Sequence, residues 1–133
     1  MKLKIYSDGG ARGNPGPAGI GVAIYDEKNK LIDQVSKYIG ETTNNQAEYQ
    51  AIICGLETCN KLGATEVTCF LDSELVVRQI NGDYKVKDPG LAKQFMKVWN
   101  LRHKFSKSEF KHIVREKNKV ADKLANDAMD KAC

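Results

Sequence analysis

Four acids stand where a chain of this kind can aim side chains at a ligand. Asp8 closes the apolar run of "KLKIYSD" and is followed at once by the glycine-rich "GGARGNPG". Asp72 closes a second such run, "TEVTCFLD". Glu48 lies near the start of a helical stretch, in "NNQAEYQA", and Asp122 near the start of another, in "NKVADKLA". Taken singly, each reads as a surface charge or a helix cap, and the helix macrodipole makes acids common at helix starts. Four carboxylates gathered in one crevice repel each other unless a cation neutralises them. Hard oxygen donors select Mg²⁺ or Mn²⁺ over softer metals. Carboxylate clusters holding two such ions ~3.5–4 Å apart suit in-line displacement at phosphorus, one ion activating a water and the other stabilising the leaving oxygen. That chemistry needs no Cys or Ser nucleophile, and no Ser/His/Asp spacing stands out in the chain.

The elements that must position these acids follow from periodicity. Residues 2–8 alternate, with Leu3 and Ile5 on one face. Residues 19–26 and 31–39 are strand-like runs joined by the polar turn "EKNK", a hairpin signal. Over 43–62 the period becomes helical, with Ala51, Ile52, Gly55, Leu56, Cys59 and Leu62 recurring. Thr43, Asn44 and Asn45 are cap candidates before that helix, and Gly63 is its stop. Residues 65–72 read as a strand, and Ser73 to Asn81 as a short helix ended by Gly82. Asp88-Pro89 caps a helix running to about Phe105, with Leu91, Phe95, Val98 and Trp99 inward. Residues 109–114 form a last strand, and Asn118 opens a final helix with Ala121, Leu124, Ala125 and Ala128 inward. The order βββαβααβα predicts an α/β domain over 1–133. Three antiparallel strands come first, and helical crossovers then add parallel ones to give a mixed five-stranded sheet. Ligands in such sheets sit beyond the carboxyl ends of the parallel strands. Asp8 and Asp72, each expected to end its strand, would emerge there together.

Composition narrows the setting. The chain has 133 residues, 41% hydrophobic and 29% charged, enough for one domain with its own core. No apolar run has the length of a membrane helix, and "MKLKIYSD" reads straight into a strand without a signal-peptide pattern. The expectation is a cytoplasmic monomer. Cys54, Cys59, Cys69 and Cys133 show no CxxC spacing. They are expected as free thiols, buried except for Cys133, an exposed terminal one. Net charge is +4, from 21 basic and 17 acidic residues, and the basic ones are dense from Lys85 to Lys119. That balance permits a nucleic-acid partner without requiring one.

The segments "YSDGGARGNPGPAGIG", "TTNNQAEYQAIICGL", "FLDSELVVRQING" and "VREKNKVADKLANDA" together resemble, in order and spacing, the four motifs of type 1 ribonuclease H. The resemblance covers nearly the whole chain. It implies the ribonuclease H-like fold and endonucleolytic cleavage of the RNA strand in RNA–DNA hybrids. It also implies two Mg²⁺ ions, with Mn²⁺ as a substitute, and products with 5′-phosphate and 3′-hydroxyl ends. Asp8 matches the acid that bridges both metals. Asp122 matches the ligand on the attacking-water side, and Glu48 and Asp72 those on the leaving-group side. The backbone around Gly10, Ala11 and Arg12, with the Asn14 side chain, matches the part of the family that enters the minor groove. Asn44 and Asn45 match contacts to ribose 2′-hydroxyls and base edges, and Thr43 a phosphate contact on the DNA strand. Read from the residues alone, the glycine-rich segment is equally a wide hairpin loop, and Thr43, Asn44 and Asn45 are equally helix caps.

The chain departs from the family pattern twice. Many members carry a histidine in a glycine-containing loop before the last helix. Here that loop is "REKN" and holds none, which leaves Arg115 or Lys117 as candidates to assist product release. Between Gly82 and Leu91 the segment "DYKVKDPG" is too short for the basic protrusion of longer members. Grip on the substrate is then expected from scattered basic residues, with double-stranded RNA as an alternative duplex.

Overall fold

A computed structural model describes residues 1–132; Cys133 lies outside the described residues. The elements are β1 (Lys2–Ala11), β2 (Gly16–Tyr25), β3 (Leu31–Thr42), α1 (Asn44–Lys61), β4 (Glu66–Leu71), α2 (Glu74–Ile80), α3 (Pro89–Arg102), β5 (Lys107–His112), a 3₁₀ turn at Arg115–Lys117 and α4 (Lys119–Ala132). The five strands form one sheet in the order β3-β2-β1-β4-β5. β1 pairs antiparallel with β2 and parallel with β4, so it forms the seam between the two halves. The expected mixed sheet and its element order are both present.

Alternation decides which face each strand buries. Leu3, Ile5 and Ser7 of β1 point to one side with Val67, Cys69 and Leu71 of β4, and all are buried. α1 covers that side with Tyr49, Ile52, Leu56 and Cys59, also fully buried, and α3 packs on α1. α4 lies on the opposite face, over β1, β2 and β3. Its buried residues are Ala121, Ala125, Ala128 and Met129. Cys59 and Cys69 are buried free thiols, as expected, whereas Cys54 is half-buried.

Several boundaries move. β1 does not end at Asp8, because its ladder with β2 continues to Ala11 opposite Ala18. The parallel ladder with β4 stops at Ser7 opposite Leu71, so Asp8 is the first β1 residue beyond it. β3 runs to Thr42 rather than 39, past Gly40 at φ +85° and a register shift beside Gly19 that breaks the alternation. β5 occupies 107–112 rather than 109–114, with the register of β4 setting its limits. On α3 the inward stripe is narrower than expected: Leu91 and Val98 are buried and Phe95 is half-buried. Trp99 instead stands 45% exposed, its ring edge-on to His103. Leu124, expected inward, is half-buried, and α4 begins at Lys119, one residue after Asn118.

Candidate active site

Asp8 and Asp72 reach one edge because their strands are parallel neighbours that stop pairing at the same level. Glu48 joins them through the packing of α1 on β1. A Cβ on Gly9 would lie 2.2 Å from the carbonyl oxygen of Ala47, so only glycine lets this helix turn approach the strand so closely. The Gly9 N–H donates to Glu48 Oε1 at 3.3 Å. α4 approaches from the other face by the same device: a Cβ on Gly21 would lie 2.1 Å from the carbonyl oxygen of Ala121. That contact sets Asp122 beside Asp8.

The carboxylates of Asp8, Glu48 and Asp72 each offer an oxygen within 4.8 Å of the others. Asp8 and Glu48 are buried, at 8% and 7% exposure, and Asp72 is half-buried. Glu48 Oε2 is buried without any hydrogen-bond partner. An unpartnered carboxylate oxygen facing two more carboxylates is costly unless a cation completes it, and the all-oxygen donor set fits a hard divalent ion. The protonation equilibria report the same strain. Burial, with Asp72 and Asp122 close by, pushes the Asp8 carboxyl up to about 7. Burial and the neighbouring Asp8 hold Glu48 well above the usual carboxylate range.

Asp122 stands slightly apart from the other three. Its Oδ1 accepts from Arg115 Nη2 at 3.1 Å and from Asn126 Nδ2 at 3.3 Å. Pairing with Asp122 raises the Arg115 guanidinium's already high pKa. All four acids nevertheless line one cavity of about 340 Å³, together with Gly10, Ala11, Arg12, Asn44, Arg115 and Asn126.

The remaining expected site residues divide. Thr43 caps α1, its Oγ1 accepting from Gln46 N at 3.2 Å. Asn44 Oδ1 accepts from Ala11 N at 2.8 Å, and its own N–H donates to Asn14 Oδ1 at 3.0 Å. These two asparagines therefore tie the β1–β2 turn to α1 while the Asn44 side chain lines the cavity. Arg12 forms an ion pair with Asp130 on α4. Asn45 is half-buried, and neither it nor Thr43 lines the cavity. Arg115 lines the cavity, whereas Lys117 faces a neighbouring one with Tyr6 and Tyr25. Sequence reasoning missed Gly9, Asn126 and Asn118 as site residues. Gly9 reads as part of a turn. Asn118 reads as a helix cap, yet its side chain turns inward, 1% exposed.

The sheet order and the acids gathered at its seam define the ribonuclease H-like fold. A family profile described as "Reverse transcriptase-like" matches residues 6–128. An RNase H1 isolated from compost by a metagenomic approach is 53% identical, superposes with a TM-score of 0.93 and covers 98% of this chain and 97% of that one. It has also been crystallised in complex with an RNA/DNA hybrid. RNase H1 of Halobacterium salinarum gives a TM-score of 0.96 at 35% identity, covering 98% and 99% of the two chains. A bifunctional protein of Mycobacterium tuberculosis is 46% identical over 99% of this chain, which spans only 36% of that relative's length. The chain belongs to the type 1 ribonuclease H family.

Proposed function

We propose that the chain is a metal-dependent endonuclease that hydrolyses the RNA strand of RNA–DNA hybrids, leaving 5′-phosphate and 3′-hydroxyl ends. The observation that carries this reading is the convergence of Asp8, Glu48 and Asp72, with a buried, unpartnered Glu48 oxygen among them. Two bound Mg²⁺ ions, or Mn²⁺ in their place, supply Lewis-acid chemistry: activation of a water and stabilisation of the leaving oxygen. Glu48 and Asp72 would hold the ion on the leaving-group side, Asp122 the ion on the attacking-water side, and Asp8 both.

The rest of the cavity suits the substrate. Gly10 and Ala11 present backbone with little side-chain bulk, so a sugar–phosphate chain can come close. Asn44 sets a short polar side chain at the rim, where it can read a ribose 2′-hydroxyl, the group that separates RNA from DNA. Arg115 is exposed at the cavity mouth and offers a guanidinium to a phosphate. Its position favours Arg115 over Lys117 as the residue assisting product release.

Matched RNA–DNA, RNA–RNA and DNA–DNA duplexes incubated with Mg²⁺, Mn²⁺ or a chelator test the reading. The expected result is cleavage confined to the RNA strand of the hybrid and abolished by the chelator. Metal-independent binding of the hybrid without cleavage would make the chain a duplex-binding module instead. Cleavage of RNA–RNA would extend its substrates to double-stranded RNA.

A further inference from the structure

Asn118 bridges β1, Asp72 and the start of α4. Its Nδ2 donates to Ser7 O at 2.9 Å and to Asp72 Oδ2 at 3.1 Å. Its own backbone carbonyl accepts from Asp122 N at 3.0 Å, the first hydrogen bond of α4. Both side-chain partners are acceptors, so the amide orientation is fixed: the NH₂ must face them, and its two protons are both used. Its Oδ1 has no partner and does not cap the helix, although an asparagine at this position ordinarily would.

We infer that Asn118 is a positioning residue for metal binding, acting through Asp72. One planar amide spans the residue before Asp8 and the carboxylate of Asp72, and so fixes the separation of these two acids. It leaves the second Asp72 oxygen free for a cation, as partners behind metal ligands do. The helix start that it forms holds Asp122 in register with the same pair. This inference rests on the proposed metal-dependent reading of the site but makes a claim about Mg²⁺ that needs no nucleic acid.

The test is calorimetric titration of Mg²⁺ into wild type, Asn118→Ala and Asn118→Asp, with folded fractions matched by circular dichroism. The Ala variant removes both donors. The Asp variant keeps the shape but faces Ser7 O and Asp72 with acceptors. Loss of a partner behind a metal ligand typically costs about 10- to 100-fold in affinity, so Mg²⁺ binding is expected to weaken at least about 10-fold in both variants. Hybrid cleavage gives a second readout. kcat at limiting Mg²⁺ should fall with KM for the hybrid little changed, and raised Mg²⁺ should restore kcat in Asn118→Ala. A purely structural role predicts a lower melting temperature with unchanged Mg²⁺ affinity and unchanged kcat per folded molecule, and that result overturns the inference. Should Asn118→Ala fail to fold, Asn118→Ser, which keeps one donor, carries the same comparison. If the wild type binds Mg²⁺ but cleaves no hybrid, the proposed activity fails while the Mg²⁺ comparison still decides the role of Asn118.

Discussion

The acids that make the site useful also make the metal-free protein less stable. Unfolded, Asp8 ionises near its ordinary value of 3.8; folded, it keeps its proton up to about 7. Between those values the folded state binds more protons than the unfolded one. Stability therefore falls as pH rises through this window, and the loss is complete above about 7. Glu48 acts in the same direction. Asp8→Asn removes one charge of the cluster at nearly constant volume. It is expected to abolish hybrid cleavage while stabilising the metal-free protein on the order of 2 kcal/mol at pH 8. That gain should shrink towards pH 5, where wild-type Asp8 is itself neutral, and should also shrink when Mg²⁺ is added. Thermal melts of both proteins at the two pH values, with and without Mg²⁺, check it; a pH-independent difference would contradict the linkage. At this scale the acids were legible because Asp72 follows a strand end, Asp8 is the first residue of β1 beyond its ladder with β4, and Glu48 and Asp122 lie near helix starts, where direction follows from the element. Gly9 and Asn118 were not, because what they touch is far away in sequence: α1 in one case, and Ser7 and Asp72 in the other.

The helices hold the acids by backbone contact as much as by apolar burial. Gly21→Ala places a methyl where the carbonyl of Ala121 now sits, so α4 must shift. Overpacking of this kind costs ~1–3 kcal/mol. Because Asp122 travels with α4, cleavage per folded molecule should fall as well. A lower melting temperature with full activity would show that the helix relaxes without moving its acid. A contrasting case lies between α1 and α2, where the buried Tyr49 hydroxyl donates to Gln79 Oε1 at 2.7 Å. Tyr49→Phe leaves that oxygen unpaired and is expected to cost about 1–2 kcal/mol. Activity per folded molecule should be unchanged, since neither residue lines the cavity. Denaturant titration paired with single-turnover assays separates the two cases. The elements themselves were readable wherever one period persisted, as in α1 and β4. They blurred where it did not: the glycine-rich end of β1 reads as a loop although its ladder continues, and the shift beside Gly19 hides the length of β3. Trp99 reads as core by its spacing on α3, but the contact with α1 is narrow enough for Leu91 and Val98 to fill it.

Across the molecule, positive charge is densest in the stretch from Lys85 to Lys119. Lys85, Lys87, Lys93 and Lys97 are all exposed on α3 and the segment before it. If each meets one phosphate, replacing it by alanine should weaken hybrid binding modestly and equally across sequences. The slope of log affinity against log salt should fall by ~1 per contact. Fluorescence anisotropy over a salt series measures this, and single-turnover rates at saturating protein should stay at the wild-type value. An unchanged slope in all four variants would place the grip elsewhere. The seating of α4 over Gly19 and Gly21 has a consequence for the order in which the protein is made. Synthesis runs from β1 towards α4 at ~5–20 residues per second, so Asp8, Glu48 and Asp72 leave the ribosome well before Asp122. Until α4 emerges, the face of β2 that it covers is bare and the fourth acid is missing. On the proposed reading, a nascent chain with three of its acids in place still lacks the ligand on the attacking-water side, and the site is complete only once α4 has packed over β2.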